Sequence, residues 1–322
     1  MSNIYAIGID IGGTKIAGGV VSTEGYLLEK VEVPTASQQQ NLTDFLIRTI
    51  RQLRALYPAV QSIGIGAAGL VEWPSGLIRW APNNSYKQLP VRDVVAEATG
   101  LPTVVDNDAN AAAWAESSVR GDQSHSNMAY LTVGTGVGGG LVLAGELYRG
   151  PSGLGAEVGH LVVDPRGAMC GCGNSGCLEA MASGTALERL ARKSIIKHPY
   201  TQLALLAKKS GGVTGRIVFA AAQSGDSEAQ SLFEEIGYWL GIGIATLVNI
   251  FELEVVVIGG GVGATGRLLI EPASKSCSLH AFAPRYRPIP PLIQSIHGVD
   301  AGIIGAALLS MGEAEVDIGA KK

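Results

Sequence analysis

Leu131-Thr-Val-Gly-Thr-Gly-Val-Gly-Gly-Gly140, Glu157-Val-Gly-His160 and Cys170-Gly-Cys-Gly-Asn-Ser-Gly-Cys177-Leu-Glu179 follow one another within about fifty residues. The first is an apolar strand running into a glycine turn, whose backbone N–H groups can approach a phosphate. The second sets a carboxylate and an imidazole three residues apart. The third crowds three thiols into one glycine-rich loop and ends on another carboxylate.

The layout of residues 128–144, read as strand, glycine turn and returning strand at 141–144, has a counterpart about 120 residues earlier. Ala6-Ile-Gly-Ile-Asp10-Ile-Gly12-Gly13-Thr14-Lys15 followed by Ile16-Ala-Gly-Gly-Val-Val21 is again strand, turn, strand. Asp10 can hold a hydrated Mg²⁺, and Gly12, Gly13, Thr14 and Lys15 supply N–H groups, a hydroxyl and a cation for phosphates. A β-hairpin with a glycine turn reads the same way. The spacing is not that of a P-loop, since Gly-x-x-x-x-Gly-Lys-Ser/Thr is absent. Two such units point to two related domains that grip phosphates between their turns.

The chain has 322 residues, 47% of them hydrophobic, enough for two α/β cores. Charged residues are 16% and the net charge is −4, with Lys and Arg scattered, so nucleic acid and anionic membrane surfaces are not expected partners. No charged segment followed by a cleavable apolar run precedes the first strand, and residues 236–251 are too short for a membrane span and read as a buried helix. Three of the four cysteines lie together and Cys277 stands alone, a pattern suited to a metal site in a reducing cytoplasm.

Residues 41–57 read as a packing helix, with Leu42, Phe45, Leu46, Ile50, Leu53 and Leu56 on one face. Residues 62–69 form a strand ending in small residues, so Gly69 can come close to a ligand. Asn83 and Asn84 fit either a sugar or an ordinary turn. Residues 103–116 are a buried strand entering an alanine-rich helix. Asp108, near its start, fits a helix cap or, at a strand end, a catalytic carboxylate, with Asn107 beside it to hold substrate. Residues 121–127 are polar and mark the passage between domains. Further helices are read at 185–197, 227–251 and 300–311, a proline-rich connection at 284–291, and a frayed tail at 312–322.

Gly134-x-Gly-x-x-Gly139 and Gly259-Gly-Gly-Val-Gly-Ala264 match the dinucleotide fingerprint only superficially. The first is followed by β-forming residues, and after the second no acidic residue occurs between Glu271 and Asp300 to bind a ribose. Gly260 and Gly261 still follow a strand at 254–258 and can contact an adenosine. His160, Cys170, Cys172 and Cys177 suit a closed tetrahedral zinc site, with three reduced buried thiols as the other reading. Such a site has no open position, so its part is structural: it orients Glu157, His160 and Glu179, which with Asn107 and Asp108 can read sugar hydroxyls.

Taken together, Asp10-Ile-Gly-Gly-Thr-Lys15, Asp106-Asn-Asp-Ala-Asn110, Gly134 to Gly140, Glu157-Val-Gly-His160, Cys170 to Glu179 and Gly259-Gly-Gly-Val262 resemble the ROK family of sugar kinases and sugar-responsive repressors. The closest look is to its bacterial ATP-dependent glucokinases, through Tyr238-Trp-Leu-Gly-Ile-Gly-Ile-Ala245 and Val257-Ile-Gly-Gly-Gly-Val262. The resemblance implies an α/β, actin-like and hexokinase-like (ribonuclease H-like) fold of two domains around a cleft. One domain is expected at 1–120 with a C-terminal helix at 300–322 returning to it, and the other at 121–299.

By the same resemblance Asp108 matches the catalytic base. Asn107, Glu157, His160 and Glu179 match sugar ligands, and Gly69 and Asn83 join them as candidate substrate contacts from the reading of the residues. Thr14, Lys15 and the turn of Gly134, Thr135 and Gly136 match phosphate contacts, Gly260 and Gly261 the nucleotide end, and His160, Cys170, Cys172 and Cys177 the zinc ligands. The expected reaction is transfer from Mg-ATP to glucose in a cytoplasmic homodimer or homotetramer. A kinase of N-acetylmannosamine, mannose or fructose, and polyphosphate as donor, remain open. Family repressors carry a helix-turn-helix before the first glycine loop, and here the chain begins at that loop, which weighs against a regulator. A dinucleotide oxidoreductase fails on the missing acid.

Overall fold

The structure is a computed structural model describing residues 4–13, 15–35, 42–81, 87–119 and 125–319, with side chains described to 312. By its internal contacts the chain divides into two units, one of residues 1–126, 140–156 and 299–322, the other of 127–139 and 157–298. Residues 140–156 thus cluster with the first unit, although the sequence reading put them in the second. The polar passage at 121–127 falls partly outside the described residues.

The elements run β1 (Tyr5–Ile11), β2 (Lys15–Ser22), β3 (Leu27–Pro34), α1 (Leu42–Leu56), β4 (Val60–Ala67), β5 (Leu70–Glu72), β6 (Leu77–Trp80), β7 (Lys87–Pro90), α2 (Val91–Thr99), β8 (Thr103–Asn107) and α3 (Asp108–Ser118). Next come β9 (Met128–Val133), β10 (Val137–Leu143), β11 (Glu146–Tyr148), a 3₁₀ turn (Val158–His160), α4 (Leu178–Ala182), α5 (Gly184–Lys197), α6 (Gln202–Lys209) and α7 (Gly215–Gln223). The chain closes with α8 (Ser227–Phe251), β12 (Val255–Gly259), α9 (Gly260–Gly263), α10 (Arg267–His280), β13 (Leu292–Gln294) and α11 (Ala301–Gly319).

In the first unit one sheet has the order β3-β2-β1-β4-β8. β1 and β2 pair antiparallel across the first glycine turn, while β1, β4 and β8 run parallel. The register sets Asp10, Gly66 and Asp106 in one row across the parallel strands, and Ile11, Ala67 and Asn107 in the next. The end of β1 and the start of α3 therefore share the C-terminal edge of the sheet, where open α/β sheets bind ligands. Ile7, Ile9, Ile63 and Ile65 are buried beneath that edge with Leu46, Ile50 and Leu53 of α1. Each is worth about 1.5–3 kcal/mol relative to exposure. Leu56, read on the same face, is exposed instead, because the packed stripe ends a turn earlier. On the other face α11 packs on β1 and β4; a side chain at Gly64 would run into the carbonyl of Ala306.

The second sheet has the order β11-β10-β9-β12-β13, and the division of the chain falls within β10, after Gly139. β10 begins at Val137 instead of 141, since extended glycines continue the ladder once the turn is made. β9, β12 and β13 are parallel, with Gly259 opposite Thr132. α8 is long and apolar enough to cross a membrane by length and composition, yet it is the core helix of the second unit. It buries Ile236, Leu240, Ile244 and Val248 and packs on α10, α4, α5 and α7. A further correction concerns the C-terminal end. The tail read as frayed from 312 continues α11 to Gly319, as Glu-Ala-Glu-Val after Gly312 favours helix. A third sheet, β5-β6-β7, and helices α2, α6 and α7 were not anticipated.

Candidate active site

In the first unit the turn after β1 closes through the Gly12 N–H donating to the Lys15 carbonyl (2.9 Å), and Thr35 Oγ1 donates to the Gly12 carbonyl (2.8 Å). Gly13 lies at the tip of this turn. The Lys15 ammonium is not free: it pairs with Glu32 at 2.9 Å, a partner across β2 and β3 with no local sequence signal. Thr14 and Asn83, two of the expected ligands, lie outside the described residues.

At the β8–α3 junction the cap is Asn107 and not Asp108. Asn107 Oδ1 accepts from the N–H of Ala109 (2.9 Å) and of Asn110 (3.2 Å), while Nδ2 donates to the Gly69 carbonyl (3.2 Å). Among the described residues nothing accepts the second Nδ2 hydrogen. Asp108 is the first helical residue; its Oδ1 accepts from the Ala109 N–H at 2.9 Å, and among the described residues nothing bonds Oδ2. Burial raises the Asp108 pKa above the ordinary carboxylate range, with N–H donors of Ala109 and of its own backbone pulling it partly back.

Asp10 is pushed from 3.8 up to about 7, first by burial and then by the Asp108 carboxylate, against the opposing pull of Lys15 and Lys30. Its carboxyl carbon also lies against the start of α11, 2.8 Å from where a Cβ on Gly302 would stand. A raised carboxyl is protonated in the folded chain and ionised in the unfolded chain between those two pH values, so it withdraws stability as pH rises through that window. A rise from 3.8 to about 7 is a cost on the order of a few kcal/mol once fully developed. Asp10→Asn is accordingly expected to raise the thermal midpoint more at pH 8 than at pH 5. Equal midpoint gains at both pH values would contradict a carboxyl titrating near neutrality.

In the second unit the parallel pairing of β9 with β12 puts two glycine segments at one edge. Gly134 N–H donates to the Gly136 carbonyl (2.9 Å), and the start of α5 grips this turn: Gly184 N–H donates to the Gly134 carbonyl (2.7 Å) and Thr185 Oγ1 to the Thr135 carbonyl (2.8 Å). Gly260 and Gly261 open α9 directly after β12, Gly260 beside the Val133 carbonyl. The glycine turn and the Gly260 segment thus form one surface of small residues and backbone groups, as close approach to a nucleotide requires.

Glu179 joins that turn to the thiol loop. Its Oε2 accepts from the Val137 N–H at 3.1 Å, its Oε1 lies 3.7 Å from Cys170 Sγ, and any side chain on Gly136 would meet it. His160 ends the 3₁₀ turn that begins after the exposed Glu157, its N–H donating to the Glu157 carbonyl at 3.0 Å. His160 and the sulfurs of Cys170, Cys172 and Cys177 present four ligand atoms within 4.8 Å of one another. Cys172 and Cys177 Sγ stand 3.7 Å apart, as do Cys170 Sγ and His160 Nδ1, close to the ~3.8 Å edge of a tetrahedron with metal–sulfur bonds of about 2.3 Å. The residues therefore fit a tetrahedral metal ion. The thiols divide: burial raises Cys170 and pushes Cys177 up to about 12, while the Asn174 backbone N–H lowers Cys172.

A sequence model of the ROK family matches residues 6–313. The chain is 39% identical to a glucokinase of Streptomyces coelicolor over 307 residues, covering 94% of this chain and 96% of the relative. It is 35% identical to an N-acetylmannosamine kinase of Shigella boydii over 320 residues, 95% of this chain and 98% of the relative. Among solved structures, a ROK family glucokinase from Streptomyces griseus in complex with glucose and AMPPNP superposes with a TM-score of 0.87 at 37% identity, covering 96% of this chain and 99% of that one. The fold is accordingly the actin-like, hexokinase-like α/β fold of these enzymes. With its two strand–turn–strand units, its Asp-Asn-Asp junction and its His-Cys₃ loop, the chain belongs to the ROK family.

Proposed function

We propose that this chain, a sugar kinase by its family and relatives, transfers the γ-phosphoryl group of Mg-ATP to the 6-hydroxyl of glucose. The observation that carries the reading is Asp108: a carboxylate at the C-terminal edge of parallel strands, with one oxygen held by the Ala109 N–H and a pKa raised by burial. Such a group is a stronger base near neutral pH than a solvated aspartate, and it can accept the proton of an attacking hydroxyl. Its helix is capped by Asn107, so Asp108 is spared for chemistry.

In this reading Gly69, Asn83, Asn107, Glu157, His160 and Glu179 bind the sugar hydroxyls, Asn107 through its second Nδ2 hydrogen. Gly12, Gly13, Thr14, Lys15, Gly134, Thr135 and Gly136 take the phosphates, Asp10 the Mg²⁺ that accompanies ATP, and Gly260 and Gly261 the adenosine end. Lys15 exchanges Glu32 for phosphate. Phosphoryl transfer depends chiefly on positioning and charge stabilisation, which is what backbone N–H groups and fixed carboxylates provide. His160 Nδ1 and the three sulfurs would hold zinc, which supplies structural order when bound and leaves the other imidazole nitrogen to the sugar. The enzyme works as a cytoplasmic homodimer or homotetramer.

A second reading, an N-acetylmannosamine kinase, is favoured by the relative of that name. Both readings keep Asp108 as base and differ in how the pocket judges one substituent. ADP formation with Mg-ATP over glucose, mannose, N-acetylmannosamine, N-acetylglucosamine and fructose separates them. Glucose is expected to give the highest kcat/KM. A preference for another sugar replaces the substrate and keeps the mechanism, whereas no turnover with any sugar overturns the kinase reading.

A further inference from the structure

We propose that Arg149, through Asp106 and stacked on Trp73, is a positioning residue for Asp108, a role that rests on the kinase reading above. Asp106 is 3% exposed. Its Oδ2 receives Arg149 Nε at 2.6 Å, and its Oδ1 receives the Asn107 backbone N–H at 2.7 Å and Asn110 Nδ2 at 2.9 Å. Those last two donors flank Asp108 in the chain, one just before it and one in the first turn of α3. One buried carboxylate therefore ties the strand end to the helix start around the base.

An ionised carboxylate so deeply buried needs a cation and a full set of donors. Arg149 supplies the cation and one donor, Asn107 and Asn110 the other two, and Arg149 is itself fixed. Its guanidinium carbon lies 3.8 Å over the Trp73 ring, and its carbonyl accepts from the Gly155 N–H at 2.9 Å. Trp73 is held in turn, its backbone N–H donating to the Ser152 carbonyl at 3.0 Å. Planar stacking combined with a directed Nε–H bond is something guanidinium offers and ammonium does not. Arg149 makes no proposed contact with sugar or nucleotide, so its effect must pass through Asp106 to the geometry of Asp108.

The test uses Arg149→Lys, Arg149→Met and the charge-neutral pair Arg149→Met with Asp106→Asn. Displacing a reacting group by about 1 Å costs up to ~100-fold, so Arg149→Lys is expected to lower kcat about 10- to 100-fold with the sugar KM changed less than about threefold. Arg149→Met leaves an uncompensated buried carboxylate and can fail to fold, whereas the neutral pair removes that penalty. In the pair the thermal midpoint is expected to recover while kcat stays low. Recovery of kcat together with the midpoint, or a folded Arg149→Lys enzyme with kcat within about twofold of wild type, overturns the proposal. Amide hydrogen exchange at Ala109 and Asn110 reads the same geometry without turnover and is expected to quicken in Arg149→Lys; unchanged exchange there also overturns it. If wild type itself phosphorylates no sugar, the kinase reading falls separately, and the exchange experiment still decides whether Arg149 holds the first turn of α3.

Discussion

Asp108→Asn is expected to lower kcat by about 10²–10⁴-fold, the usual contribution of a general base, while leaving the KM for glucose within a few fold. The substitution is close to isosteric, and the amide oxygen can still accept from the Ala109 N–H as Oδ1 does. The α3 cap belongs to Asn107 and the buried ion pair to Asp106, so neither local support is disturbed. What is lost is a lone pair basic enough to take the hydroxyl proton. The same argument fixes a pH dependence. Asp108 must be ionised to act, and burial raises its pKa, so kcat/KM falls as pH drops through a value above that of an ordinary aspartate. An Asp108→Asn enzyme with near wild-type kcat, measured as ADP release under saturating glucose, would remove Asp108 from the mechanism.

What could be read in the sequence was what is local. The alternation of Tyr5–Ile11 and the glycines after it specify strand and turn before any partner strand is known, and Met128–Val133 repeats the pattern. The His160 and cysteine spacing is likewise local, and its four ligand atoms do come together. The strand order was not legible: the row Asp10, Gly66, Asp106 is made by pairing of segments far apart, and many registers satisfy the same hydrophobicity. The exchange of roles between Asn107 and Asp108 turns on one residue in the helix boundary, finer than periodicity resolves. Arg149 had no signal, since its partner Asp106 is 43 residues away. Lys15 was taken for a phosphate contact from the turn alone, and only the neighbouring strand β3 supplies the Glu32 that holds it.

Cys177→Ser is expected to lower the thermal midpoint by about 10 °C and to reduce bound zinc from one per chain to well below it. Cys177 is fully buried, and its sulfur is one of four ligand atoms within 4.8 Å of one another. A serine hydroxyl there is a poor zinc ligand and a poor substitute for a buried thiol. Structural zinc contributes about 10–16 kcal/mol in isolated finger peptides; within a unit that also has the α8 core the loss should be smaller, roughly 3–5 kcal/mol, which for a unit of this size corresponds to that midpoint. The consequence for function follows from what the loop carries. Glu157 and His160 precede it and Glu179 closes it, with Glu179 also bonded to the Val137 N–H beside the glycine turn. Loss of the ion should weaken sugar binding first and disturb the Gly134 turn through Glu179 second, so the sugar KM is expected to rise more than the ATP KM. Cys277 provides the contrast. It lies in α10, away from the cluster, and burial alone raises its pKa to about 11, so Cys277→Ala should keep both zinc and sugar KM. Elemental analysis of the purified protein decides the matter directly. Full zinc content and an unchanged midpoint in Cys177→Ser would remove Cys177 from the ligand set, and a wild-type protein without zinc would show that the four side chains meet without holding the ion, with Glu179 and His160 then owing their placement to the surrounding backbone alone.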